Sequence, residues 1–118
     1  MNKEELKRRA KDFAHRCVKL CAMLPNTQLG RHISGQLIRS STSVASNYRA
    51  VCIAQSKAAF IAKLAIVIEE TDESYFWIEF ASDEKLVKKQ QVSGLLKEAQ
   101  ELTAIFVASQ NTARRNKN

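Results

Sequence analysis

Residues 33–54 read ISGQLIRSSTSVASNYRAVCIA, and the fold turns on the middle of that stretch. Taken alone, residues 40–47 (SSTSVASN) have the hydroxyl-rich composition of a loop. Their flanks argue otherwise. Ile33, Leu37, Ser40, Val44, Asn47 and Val51 recur at alternating spacings of four and three, which places them on one stripe of a helix. A loop would not hold that phase from one side to the other. The spacing therefore predicts one unbroken helix over about 29–54, with two polar residues on its buried stripe.

The same period continues on both sides. Leu6, Ala10, Phe13, Cys17, Leu20 and Leu24 mark a first helix over about 3–24, closed by Leu24-Pro25 because the residue before proline avoids the helical region. Ser56 is placed to cap a third helix over about 57–81. Ser82 or Asp83 is expected to cap a fourth over about 86–112, whose stripe is Val92, Leu95, Ala99, Leu102, Phe106 and Ser109. Residues 113–118 form a basic tail expected to fray. Three glycines and one proline in 118 residues leave too few turn residues for a β sandwich or barrel. Short connections between long helices favour antiparallel neighbours, so the expectation is one all-α domain, an up-down-up-down four-helix bundle.

The third helix departs from the one-stripe rule. Apolar residues run right round it between Ala58 and Ile68, including Phe60 and Ile61, and again at Tyr75, Phe76, Trp77 and Ile78. One bundle core covers only part of such a surface, so the remainder predicts burial against a second copy, in a closed ring or a dimer. Lys63 interrupts the longest apolar run, which is too short to span a membrane. The charged N-terminus lacks an apolar run behind it, and the three cysteines fit free thiols in a reducing compartment; both favour a cytoplasmic protein.

The net charge is +7. Folding the chain up-down-up-down gathers residues 1–13, 42–68 and 100–118 at the end carrying both termini, with eleven lysines and arginines against four carboxylates. The other end balances. Lys3, Lys7, Arg8, Arg9, Lys11, Arg49, Lys57, Lys63, Arg114, Arg115 and Lys117 supply the excess. A repeated basic end suits phosphate backbones of structured RNA or DNA and makes such binding steeply salt-dependent. No zinc knuckle, aromatic stacking motif or helix-turn-helix is visible, so the expected recognition is of backbone or shape. The alternative is a scaffold for a protein partner, with the charge serving solubility.

Other constellations point away from catalysis. Glu69, Glu70, Asp72 and Glu73 lack the Glu-x-x-His partners of di-iron bundles, since neither His15 nor His32 follows a glutamate by three. In hairpin register Glu70 lies level with Ser40 and Arg39, and Asn47 with Lys63 and Leu64, so Ser40, Ser43, Asn47, Glu70 and Glu73 are predicted to form a buried polar layer that fixes register. Cys17 and Cys21 read as buried thiols. The serines have no nucleophile elbow, and no glycine-rich phosphate loop exists. The sequence predicts no catalytic residues, no metal site and no cofactor.

Two segments together resemble a known family: Gln36 to Arg49 (QLIRSSTSVASNYR) followed by Ala54-Gln-Ser-Lys57, and Phe60-Ile-x-Lys-Leu64 followed by Ile66 to Ile78 (IVIEETDESYFWI). They are similar to bacterial four-helix-bundle proteins encoded within intervening sequences of 23S rRNA genes. That family is in turn similar to the accessory variability protein of diversity-generating retroelements. The resemblance implies a four-helix bundle assembled as a homopentamer with a basic surface. It also implies an association with nucleic acid and a reverse transcriptase for the retroelement relative, and no firm biochemical activity for the intervening-sequence proteins. By position, its residues here are Ser40, Ser43, Asn47, Tyr48, Glu70, Glu73 and Trp77. The chain departs from the pattern at Ala50 and Ala59, where members often carry an acid, which makes this copy locally more basic.

Overall fold

Three of the four helices begin at a residue whose side chain accepts from one of their first free N–H groups. In the computed structural model, which describes residues 1–116, the helices are α1 (Lys3–Cys21), α2 (Gln28–Cys52), α3 (Lys57–Asp83) and α4 (Lys89–Arg115). Asn2 accepts from Glu5 N at 2.8 Å, Thr27 from Gly30 N at 3.1 Å and Ser56 from Ala59 N at 3.0 Å. These are N-cap bonds made by the residue types that favour them.

The ends differ in part from the sequence reading, for local reasons. α1 stops at Cys21, and the chain to Leu24 tightens into turns in which Met23 N donates to Leu20 O and Leu24 N to Cys21 O. Pro25 forces this earlier close. Ser82 and Asp83 do not cap α4 but stay inside α3. The break comes at Lys85, whose φ of 60° reverses the chain while Leu86 N donates to Ala81 O and Lys85 N to Ser82 O. That pair of hydrogen bonds is the Schellman close, whose left-handed position glycine usually occupies. Lys88 then precedes α4, with its N–H held by the Gln91 side chain at 2.8 Å. α4 runs through Arg114 and Arg115, so the first part of the predicted tail is helical.

The hydroxyl-rich middle of α2 is helical throughout. Its side chains fold back on their own carbonyls: Thr42 Oγ1 donates to Ile38 O at 2.7 Å, and Ser40 and Ser46 make longer bonds to Leu37 O and Ser43 O. This internal satisfaction removes the reason for a serine-rich segment to leave the helix.

Consecutive helices pack along their lengths, α1 on α2, α2 on α3 and α3 on α4, and α4 closes more sparsely on α1. The result is an up-down-up-down bundle of 50 × 21 × 20 Å. No strand and no helix long and apolar enough to cross a membrane occurs among the described residues. The core holds the predicted stripes except Leu24, Asn47 and Ser109, which are half-buried, and Phe13, Ile33, Leu37, Leu64, Ile78, Leu102 and Phe106 are fully buried. Tyr48 of α2 and Phe106 of α4 meet across the diagonal, with ring centroids 5.4 Å apart.

Cys17 is fully buried, and burial pushes its thiol up to about 12; burial also raises Cys21. Cys52, at the end of α2, is only half-buried. An aromatic disulfide reagent is therefore expected to titrate one thiol rapidly in the folded protein, Cys52, and the other two only after denaturant is added. Three thiols reacting together in the native state would contradict this core.

Candidate nucleic-acid interface

The end carrying both termini gathers the N-terminus of α1, the loop joining α2 to α3 and the C-terminus of α4. A hollow of about 880 Å³ lies between them, bordered by Lys3, Lys57, Ser56, Ser109 and Thr112 and floored by Phe60 and Ile105. Lys3 Nζ sits 5.9 Å from the centre of the Phe60 ring, within cation–π range. Lys57 donates to the carbonyl of Asn116. Arg114 and Arg115 lie in the last turn of α4 at this end, and Arg115 lies within 3.5 Å of Thr112 Oγ1. Ile53 and Met1, 78% and 67% exposed, give the same end an apolar fringe. Lys117 lies outside the described residues.

A second concavity of about 680 Å³ runs between α1 and α2. Lys7, Arg8, Lys11 and His15 line its α1 wall and Arg49 its α2 wall, over a floor that includes Ala14 and Ala45. Small side chains on the facing helices open this groove. Lys7 pairs with Glu4 at 2.9 Å one turn away, in a geometry that leaves the lysine at the surface. Lys3, Arg8, Lys11, Arg49, Lys57, Arg114 and Arg115 form no ion pair among the described residues.

Arg9 does not belong to this cationic surface. Its guanidinium grips Glu98 through two bonds of 2.7 Å and reaches Glu101 at 2.8 Å, tying α1 to α4 where the two helices pack least closely. An arginine already held in a bidentate pair has few donors left for a phosphate. Nothing local to Arg9 signals this, because the partner carboxylates lie about ninety residues away and only the closed bundle brings them together.

The polar layer also differs from the expected set. Ser40 is fully buried and accepts from Ser74 Oγ at 2.9 Å, while Ser74 also reaches Glu70 O; Ser41 and Thr71 are fully buried beside them. Ser43 and Asn47 bond to each other at 2.8 Å in a half-buried position on α2. Glu70 and Glu73 leave the layer for the rim, where both hold Arg39; Glu70 lies 3.1 Å from it. The reason is desolvation: a carboxylate inside the core would lose more hydration than a serine layer could return. Burial alone would raise the Glu73 pKa, but hydrogen bonds from Arg39 and Trp77 and the Arg39 charge hold it below the usual carboxylate value.

Of the predicted outer residues on α3, Phe60, Ile61, Tyr75 and Trp77 are half-buried within one copy and Phe76 is 48% exposed. Trp77 donates to Glu73 at 3.0 Å and meets His32 edge-on, and Phe76 stacks on Phe80. Among the described residues no group of three or more histidine, cysteine or carboxylate side chains converges as a metal site.

Residues 2–108 match the model of one protein family, described as 23S rRNA-intervening sequence protein. No curated protein matches the sequence. Among solved structures, the chain is similar to a protein of unknown function from the S23 ribosomal protein family of Bacteroides thetaiotaomicron. The two share 30% identity over 89% of this chain and 97% of that one, with a TM-score of 0.83.

Proposed function

This chain belongs to the 23S rRNA-intervening sequence protein family, and from that premise we propose that it is a non-enzymatic, self-assembling bundle that binds structured RNA or DNA. It acts in the cytoplasm and takes no cofactor. The family resemblance favours a pentamer. The nucleic acid lies across the end carrying both chain termini, held through its phosphates without strong sequence preference.

One observation carries the reading. Lys3, Arg8, Lys11, Arg49, Lys57, Arg114 and Arg115 at that end pair with no carboxylate among the described residues, whereas Lys7 pairs with Glu4, and Arg9 and Arg39 are committed to pairs between helices. Lys3 and Lys57 border one hollow, and Arg114 and Arg115 stand on the last turn of α4 at the same end of the bundle. Symmetry then multiplies the phosphate contacts that each copy supplies.

The test is scattering of the purified protein with a structured RNA across a salt series. A multimer that captures RNA at about 50 mM salt and releases it by about 200 mM is the expected result, since six to ten phosphate contacts cost about a thousandfold or more over that range. Replacing Lys3, Arg114 and Arg115 with serine is expected to keep the particle size and flatten the salt dependence, by about 0.7 to 0.9 in log–log slope for each phosphate no longer neutralised. A multimer that ignores RNA at every salt would overturn the nucleic-acid reading and leave a scaffold for a protein partner.

A further inference from the structure

Charge is divided across the bundle as well as along it. Residues 1–54, which form the α1–α2 hairpin, carry ten lysines and arginines against three carboxylates. Residues 55–112, which form α3 and most of α4, carry six against nine. In a bundle whose neighbours follow chain order these two hairpins lie on opposite sides. Four of those nine carboxylates are held by Arg9 and Arg39, so one side presents a cationic groove and the other an acidic strip on α3 made by the exposed Glu69, Asp72 and Glu79.

Both sides also expose apolar residues. Val18 lines the groove and is 41% exposed, next to the small residues Ala14 and Ala45. On the far side Phe76 and Val107 are exposed, and the exposed carboxylates Glu69, Asp72 and Glu79 lie on the same helix as Phe76. Asp72 and Tyr75 border a shallow cleft with Gln100 and Thr103 of α4, which puts Asp72 on the outer α3–α4 side. An apolar strip rimmed by one sign of charge, facing a groove rimmed by the other, is the composition of two halves of one interface.

We infer that the α1–α2 groove of one copy seats the α3–α4 face of the next copy, head to tail. The inference rests on the self-assembly proposed above and names the surfaces that make it. Faces that match each other rather than themselves give a heterologous contact, which closes as a ring when the rotation from copy to copy divides a full turn and otherwise extends as a filament. Lys11 and Arg49 on the two walls then belong to the seam, opposite Glu69 and Asp72 of the neighbour. The cations left for nucleic acid are those at the bundle end, among them Lys3, Lys57, Arg114 and Arg115.

Charge reversal tests this. Two variants, Lys11→Glu with Arg49→Glu and Glu69→Lys with Asp72→Lys, change exposed positions and are expected to keep the helical circular dichroism of the parent. Each is expected to fall from the multimer to a particle of 13.3 kDa by sedimentation at low salt. Combining all four substitutions in one chain restores complementary faces and is expected to restore the multimer. Three outcomes would overturn the seam. If the parent is itself a 13.3 kDa particle, self-assembly falls and the seam with it. If the parent is a multimer and both double variants keep its mass, self-assembly stands and the seam alone is wrong. If the double variants dissociate and the fourfold variant stays dissociated, the faces do not meet each other, and an arrangement such as α3 against α3 replaces this one.

Discussion

Gly30→Ala is expected to lower stability by about 2 to 4 kcal/mol, while Gly35→Ala, five residues further along the same helix, raises it by about 0.5 to 1 kcal/mol. A Cβ built on Gly30 would stand 2.0 Å from the carbonyl oxygen of Pro25 and 3.2 Å from Thr27 Oγ1. The first of these is backbone, fixed by the turn that joins α1 to α2, so the clash cannot be relieved by a rotamer change. Accommodation means rebuilding the turn, and with it the Thr27 cap that Gly30 N supports. Gly35 has nothing within 4 Å of the same added atom, so alanine there only removes backbone freedom from the unfolded chain and improves helix propensity. Thermal melts of the two variants beside the parent decide it. The expected result is a loss of about ten degrees or more at Gly30 and a small gain at Gly35. Two shifts of the same sign and size would mean that the α1–α2 turn is not packed against the start of α2.

That turn also shows what sequence alone does and does not reveal. Pro25 announces the break between the first two helices, and Ser56 announces a cap. These signals are local, acting within three or four residues, and the helix count follows from them together with the apolar period. The serine run in α2 is readable for the same reason, since its hydroxyls are satisfied by carbonyls three and four residues back. The close of α3 is not readable, because Lys85 takes the left-handed conformation where glycine would be the usual signal.

The candidate site divides the same way. The charge excess at one end is a sum over segments, so it survives small errors in helix bounds. Which cations are available is a matter of pairing, and pairing is long-range. Arg9 and Arg8 are neighbours of equal chemistry; one is locked to Glu98 and Glu101, and the other lines a groove. Only the sparse closure of α4 on α1 distinguishes them. Glu70 and Glu73 illustrate a related limit. Register brings them level with Ser40, but an ångström-scale choice between core and rim decides whether a carboxylate joins a layer, and Arg39 at the rim wins it.

The basic end depends on the core beneath it, and Phe106→Ala is expected to show how strongly. Phe106 is fully buried and touches Tyr48 across the diagonal, linking α2 to α4, two helices that do not pack side by side. Removing its ring leaves a cavity in a place where the helices converge, at a cost of about 3 to 5 kcal/mol, part of it from the missing aromatic pair. Chemical denaturation is expected to show the midpoint falling with the slope unchanged. Phe106→Leu, which keeps most of the volume, is expected to recover more than half of the loss. The nearby Tyr48 hydroxyl, whose pKa burial raises, stays neutral at ordinary pH, so the loss is expected to be the same at pH 6 and pH 8. An alanine variant as stable as the parent would mean that the two rings do not brace the bundle. The cations on either side of it would then need another explanation for being held on one surface.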